Sequence, residues 1–367
     1  MRITGCEVYG YRLTYAHGEY VMSGGRAAQS QDSTLVRLLT DKGIEGWGEV
    51  APLAGTYLPT FAGGTRAAIY ELAPALIGLD PCNISLVYRT MNALLLGQNS
   101  AKSAIDIACW DVLGQSAEFP IATLLGGVLQ PDFPLYQAVP LGNPESMAKF
   151  VADRAATGIG QFQVKVGNDP YEDVARVRSV VDAAGPDAFI VADANGGWNL
   201  QNGLIAVRKL QDLDIYIEQP CRDSADCALV KAATTLPLVL DESVVTASDL
   251  FRAKYEVGAG SINVKLSRVG GLTPAARMRD LAQDLGLSVT IEDAWGGDVT
   301  TAAVSHLAAS TSPELLLTTC FFNDWTNEHV AGYVPRSRNG RGAAPEGFGL
   351  GIQVDRGSLG APLFCVS

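Results

Sequence analysis

Gln163-Val164-Lys165, Ile190-Val191-Ala192-Asp193-Ala194-Asn195, Ile215-Tyr216-Ile217-Glu218-Gln219-Pro220, Leu238-Val239-Leu240-Asp241-Glu242 and Asn263-Val264-Lys265 are short apolar runs, each carried to a charged side chain. The charged positions recur about every 25 residues. That is close to the roughly 30 residues per strand-plus-helix unit of a barrel that builds eight such units from ~250 residues. Short continuous apolar runs separated by amphipathic stretches read as parallel strands buried on both faces by helices. In such a barrel the C-terminal strand ends open into one mouth, so Lys165, Asp193, Glu218, Asp241 and Lys265 are expected to converge there.

The same rhythm extends outward. Strands are predicted over 135–139, 161–166, 189–193, 215–218, 238–241, 261–265, 288–292 and 315–319. Between them, the stretch from Tyr171 places Val174, Val177, Val180 and Val181 on one helical face, as a helix packed on a core does. Before the barrel, alternating Ile3, Cys6, Val8 and Tyr11, then Leu35 and Leu39, lead through Asp41-Lys42-Gly43 to Gly46-Trp47-Gly48-Glu49 and read as a small antiparallel sheet. The Gly-rich segment His17–Arg26 between its strands is too long for a tight hairpin and suits a lid. Helical patterns follow around 66–72, 86–95 and 101–113; in the last, Asp106 and Trp110 read as a helix polar group and a packed indole. Gln130-Pro-Asp-Phe-Pro134 is the predicted linker into the barrel.

The composition excludes several classes of partner. At 367 residues, 47% apolar and 18% charged, the chain can bury a large core and divide into two domains. A net charge of −12 with a pI near 4.7 offers no footprint for phosphate backbones, and no apolar run approaches the ~18 residues of a membrane span. Nucleic acid and membrane are not expected partners. The start Met1-Arg-Ile-Thr-Gly5 lacks the apolar core of a secretion signal. Seven scattered cysteines without C-x-x-C spacing read as reduced thiols of a cytoplasmic protein. Cys221 and Cys227 have no histidines or second pair for zinc.

Three carboxylates converging without cysteine or histidine form a hard oxygen site suited to Mg²⁺. A lysine on each side adds acid/base capacity. A single strand-end Asp or Glu is more often a solvated charge; five such positions in one register carry the functional reading.

The ordered set Gln163-Val-Lys165, Asp193-Ala-Asn195-Gly-Gly-Trp198, Glu218-Gln-Pro220, Asp241-Glu-Ser243 and Lys265 resembles the muconate-lactonizing-enzyme subgroup of the enolase superfamily. The resemblance covers nearly the whole chain. It implies an α/β fold, a (β/α)7β modified TIM barrel with an N-terminal α+β capping domain: residues 1–130 for the cap, 131–320 for the barrel, and 321–367 returning to the cap. It implies one Mg²⁺ per subunit on Asp193, Glu218 and Asp241, and abstraction of a proton next to a carboxylate. Lys165 would take a proton of S configuration, with Lys265 on the R face, and His17–Arg26 would close over the mouth. A homo-oligomer is implied as well. The subgroup's usual Lys-x-Lys is here Gln163-x-Lys165; both side chains point the same way, so a neutral amide replaces a charge beside Lys165.

Asn195 and Glu242 are candidates for orienting the ligands or Lys265, or equally for capping strand ends. Candidate substrate contacts are Tyr57 from the cap, Gln163, Asp293 and Trp295 after the seventh strand, and Thr318 and Cys320 at the eighth. An acidic segment beside α-carbon chemistry suits an amino-acid substrate. Here the chain is similar to enzymes of proline derivatives, cis-3-hydroxy-L-proline dehydratases and hydroxyproline-betaine 2-epimerases. A betaine prefers aromatic faces, and none follows the eighth strand before Phe321, which favours a free imino acid. A catalytically inert barrel that binds a carboxylate metabolite is the alternative of a different class.

Overall fold

The computed structural model describes residues 1–53 and 55–367. Among these, eight strands pair in chain order, all parallel, into a nearly closed barrel: Tyr136–Val139, Gln161–Lys165, Phe189–Asp193, Tyr216–Glu218, Leu238–Leu240, Ser261–Lys265, Ser288–Glu292 and Leu316–Thr319. Every predicted strand is present, with ends moved by a residue at most. Helices fill each of the seven connections, so the (β/α)7β arrangement holds.

Alternate strand residues explain the shape. Val164, Ala192, Ile217, Leu240, Val264 and Ile291 are all buried in one core with Val177 and Val180 from the helix Pro170–Ala184. Each such Val, Leu or Ile side chain contributes about 1.5–3 kcal/mol by leaving water. The residues on either side of Val164 and Val264, namely Gln163, Lys165, Asn263 and Lys265, share the other side of their strands, as the period of two requires.

The N-terminal part is an antiparallel sheet in which Ile3–Thr14 lies between Ser30–Thr40 and the C-terminal strand Phe364–Val366, with Glu45–Val50 at the far edge. The tail thus returns to the first strand, pairing Cys6 with Val366 and Val8 with Phe364. The helix Asn99–Ala117 packs so closely on Glu45–Val50 that a Cβ at Gly48 would lie 1.8 Å from the Ala104 carbonyl oxygen.

Two buried carboxylates of this cap complete helices of the barrel. Glu49 accepts from the backbone N–H groups of Gly297 and Thr300 at the start of Asp298–Ala309. Asp106 accepts from Thr273 N–H at the start of Leu272–Leu285, while Trp110 Nε1 donates to the Thr273 hydroxyl. An acceptor at a helix N-terminus satisfies an N–H that the helix itself leaves free. Asp106 and Trp110, read from sequence as packing residues, are the joint between the two halves of the molecule.

The segment 17–26 lies over the barrel. Val21 carbonyl accepts from Leu141 N–H, Ser23 Oγ donates to Ala194 carbonyl, and Gly24 N–H donates to Asn168 Oδ1. Ser23 sits in a notch: a Cβ on either Gly167 or Gly197 would come within 2.8 Å of its side chain.

Candidate active site at the barrel mouth

Register builds the site. On neighbouring strands Lys165 is paired with Asp193 and Asp193 with Glu218, so these three charges leave the sheet at one level. Lys265 is paired in the same way with Glu292. Asp241 follows directly on its strand, its N–H held by Gln219 Oε1 at 2.9 Å. All six side chains are buried.

Lys165 Nζ lies 2.5 Å from Asp193 Oδ2, and the other Asp193 oxygen accepts from Asn195 N–H at 2.8 Å. Burial opposes the charge on Lys165, yet Asp193, the Tyr20 phenol and Glu218 together hold its ammonium above the ordinary lysine range. Lys265 Nζ stands 3.0 Å from Glu292 Oε1, 3.1 Å from Asp241 Oδ2 and 2.8 Å from the Tyr57 hydroxyl. Its ammonium is likewise raised, by Asp241 and Glu292 against the cost of burial.

Glu218 is the centre of the negative charge. Burial, then Asp193, Asp241 and Glu292, push its carboxyl well above the usual range. Two amides hold it: Gln163 Nε2 donates to both oxygens at 3.2 and 3.1 Å, and Asn263 Nδ2 donates to Oε1 at 2.8 Å. Gln163 is therefore tied to this carboxylate as well as bordering the cavity. Asp241 is held below the carboxylate range, in spite of burial, by Arg268 and Lys265. Burial and the charges of Asp241 and Asp193 push Glu242 up to about 8; it accepts from Asn195 Nδ2 at 3.0 Å. Asn195 and Glu242 thus meet each other behind the ligand candidates.

The donor set fits a hard divalent cation. Carboxylate oxygens of Glu218, Asp241 and Glu292 come within 4.8 Å of one another, and crowded buried anions of this kind are stabilised by a metal ion. Asp193, expected in that group, is drawn to Lys165, and Glu292 stands in the cluster.

Above the cluster is a narrow cavity of about 20 Å³ lined by Lys165, Lys265, Gln163, Tyr57, Asp293 and Trp295, all read from the sequence. Asp293 is a wall of the cavity whose oxygens are already engaged by Ser267 N–H, the Ser267 hydroxyl and Ala294 N–H; burial raises it to about 6. Two expectations fail. Thr318 lies in a separate surface cavity, its hydroxyl donating to Gln161 Oε1 at 2.9 Å, because it stands below the rim of the last strand. Cys320 is packed in the aromatic cluster behind the cavity rather than on its wall. The aromatic side chains thought to be missing are present: Tyr20, Tyr136, Phe322 and Trp325 join Tyr57 and Trp295 around the space. They come from the lid, the first strand and the chain beyond Phe321, so counting aromatics at the eighth strand missed them.

Several site residues had a readable signal. Asn263 precedes Lys265 by two, as Gln163 precedes Lys165, and Glu292 ends the seventh apolar run as Glu218 ends the fourth. Arg268 had none: it sits past the strand on the short helix Leu266–Val269 and reaches back to Asp241.

With this geometry in place, two family models match the chain. The enolase C-terminal domain-like family matches residues 146–358, and the mandelate racemase / muconate lactonizing enzyme N-terminal domain matches residues 16–126. The chain belongs to the enolase superfamily. It is an enzyme, since its relatives include a dehydratase, a racemase and epimerases. A cis-3-hydroxy-L-proline dehydratase from Roseibium aggregatum is 42% identical over 363 residues, 99% of either chain. An N-succinyl-L-Arg/Lys racemase from Bacillus cereus is 33% identical, covering 98% of this chain and 97% of the racemase. A mandelate racemase/muconate-lactonizing enzyme from Roseovarius nubinhibens, solved in complex with magnesium, superposes with a TM-score of 0.97 at 34% identity over the full length of both chains. The enolase-superfamily assignment agrees with a barrel whose strand ends carry two lysines and a carboxylate cluster. Among the described residues no helix is long and apolar enough to cross a membrane.

Proposed function

We propose that this enzyme removes the α-proton of a proline-type amino acid and dehydrates cis-3-hydroxy-L-proline to Δ1-pyrroline-2-carboxylate, with accessory 2-epimerisation of proline. The observation that carries the reading is that Lys165 and Lys265, from the second and sixth strands, border one small cavity over a carboxylate cluster. The 42% identity to a cis-3-hydroxy-L-proline dehydratase supports the substrate class.

Asp193, Glu218 and Asp241 would hold one Mg²⁺. When bound, it supplies positive charge to the substrate carboxylate as its α-carbon loses a proton. In cis-3-hydroxy-L-proline the hydroxyl shares a ring face with the carboxylate, so the α-hydrogen lies opposite. With Asp193 engaged by Mg²⁺ its carboxylate would no longer hold the Lys165 ammonium, and the neutral Lys165 Nζ takes that proton from C2. The C2–H electron pair becomes the C2=C3 bond, the C3–O bond breaks with its pair on oxygen, and Lys265 Nζ gives that oxygen a proton as water leaves. The enamine so formed tautomerises to the Δ1-imine.

Aromatic lining favours one second reading. Six aromatic side chains border the cavity, and a quaternary betaine nitrogen prefers such faces by roughly 0.5–2 kcal/mol each. A 2-epimerase of proline betaine or 4-hydroxyproline betaine would use the same two lysines. Incubation with cis-3-hydroxy-L-proline and with proline betaine separates the two: ketimine formation supports the dehydratase, betaine epimerisation alone supports the second reading, and turnover of neither defeats both.

A further inference from the structure

Glu292 has no part in the proton transfers above, yet it is buried in the middle of the site. Its Oε1 takes Lys265 Nζ at 3.0 Å and Asn263 Nδ2 at 3.0 Å, and its Oε2 accepts from the Tyr136 hydroxyl. The two lysines are not held alike. Lys165 has one carboxylate in contact, Asp193; Lys265 has two, Asp241 and Glu292. Asp193 and Asp241 are both assigned to the metal in the proposed reaction, so Glu292 is the one contacting carboxylate that remains for a lysine alone. It is fixed from three sides, by the first, sixth and seventh strands, and so is a rigid anchor rather than a mobile counter-charge.

We infer that Glu292 is a positioning residue that fixes Lys265 Nζ on its face of the cavity, in the place from which it reaches the departing oxygen. The inference rests on the dehydratase reading for its substrates. It acts on one face only: without Glu292, proton removal by Lys165 persists, whereas proton delivery by Lys265 is lost. The cluster geometry offers a rival role, since Glu292 oxygens also lie within ligand distance of Glu218 and Asp241.

The test uses Glu292→Gln, Lys265→Ala and the double variant. Exchange of the L-proline α-proton in D₂O reads Lys165, dehydration of cis-3-hydroxy-L-proline reads both lysines, and Mn²⁺ titration followed by electron paramagnetic resonance reads the metal site. Glu292→Gln is expected to lose about 100-fold or more in dehydration, the usual worth of a positioned acid. It should keep exchange and Mn²⁺ affinity within about twofold, and add nothing to Lys265→Ala, because a residue acting through another has no effect once that other is gone. Glu292→Asp, which keeps the charge, should recover part of the dehydration. Equal loss of exchange and dehydration, a further loss of exchange in the double variant, no recovery in Glu292→Asp, or about tenfold weaker Mn²⁺ binding would each overturn the inference. If the unaltered enzyme acts on neither substrate, it is the dehydratase reading that fails. The crystal structure of Glu292→Gln then decides: Lys265 displaced from its place beside Tyr57 supports the inference, and Lys265 unmoved overturns it.

Discussion

Lys165 and Asp193 face each other on paired strands, and the ammonium of the first lies 2.5 Å from an oxygen of the second. Lys265 stands across the cavity on the sixth strand with different neighbours, Tyr57, Asp241 and Glu292. In the proposed reaction the two lysines, in their separate settings, serve separate faces of the substrate. Lys165→Ala is expected to lose both dehydration and L-proline α-proton exchange by about 10²–10⁴ or more, the contribution of a positioned base. Lys265→Ala should lose dehydration and epimerisation while retaining exchange with solvent deuterium. The reverse pattern, exchange kept without Lys165 and lost without Lys265, would show that the faces are assigned backwards.

The carboxylates carry charge that the barrel does not need for packing. Asp193→Asn, Glu218→Gln and Asp241→Asn each keep the volume of the side chain and remove a ligand charge, so turnover should vanish while the folded state persists. Removing Asp193 or Asp241 relieves the crowding that raises Glu218 but leaves Lys165, or Arg268 and Lys265, short of a buried partner, so a lowered melting temperature without loss of the fold is expected. Circular dichroism melting checks the fold, and chelation by EDTA should reproduce the loss of activity in the unaltered enzyme. Full activity in EDTA would refute the metal assignment.

Asp106 gives the protein a pH-dependent stability. Burial raises its carboxyl to about 7, against the lowering effect of its hydrogen bonds to Thr273 and Leu272. Between about pH 4 and 7 the folded chain holds a proton that the unfolded chain has released, so stability attributable to this group falls as pH rises. The slope is at most about 1.4 kcal/mol per pH unit and is greatest between these two values; the loss is complete above pH ~7 and absent below the ordinary Asp value near 4. Asp106→Asn can still accept from Thr273 N–H but cannot titrate. Urea unfolding at a series of pH values from 4 to 8 should therefore show a flatter profile for the variant; parallel profiles would contradict a raised Asp106.

The barrel was legible because its signal is local and repeated. Each strand is a short apolar run, its inner residues alternate with period two, and Lys165, Asp193, Glu218, Asp241 and Lys265 each end such a run. What escaped reading depends on contacts far apart in sequence. Arg268 reaches Asp241 from a short helix with no pattern of its own, and Tyr20 and Trp325 meet at the cavity from segments some 300 residues apart. Thr318 was placed one level too high, since a strand's last turn toward the mouth cannot be read to a single residue from composition alone.

Glu49 and Asp106 make the division into cap and barrel a matter of architecture and not of folding. The helices Leu272–Leu285 and Asp298–Ala309 follow the strands that carry Lys265 and Glu292, and both begin on N–H groups satisfied from the other half of the molecule. Cut apart, the barrel would leave these helix starts without their side-chain acceptors and the cap would leave two carboxylates without those N–H donors. Neither half is thus a complete unit, and an exchange of caps between relatives must carry these two acids along or leave the sixth and seventh barrel segments without their beginnings.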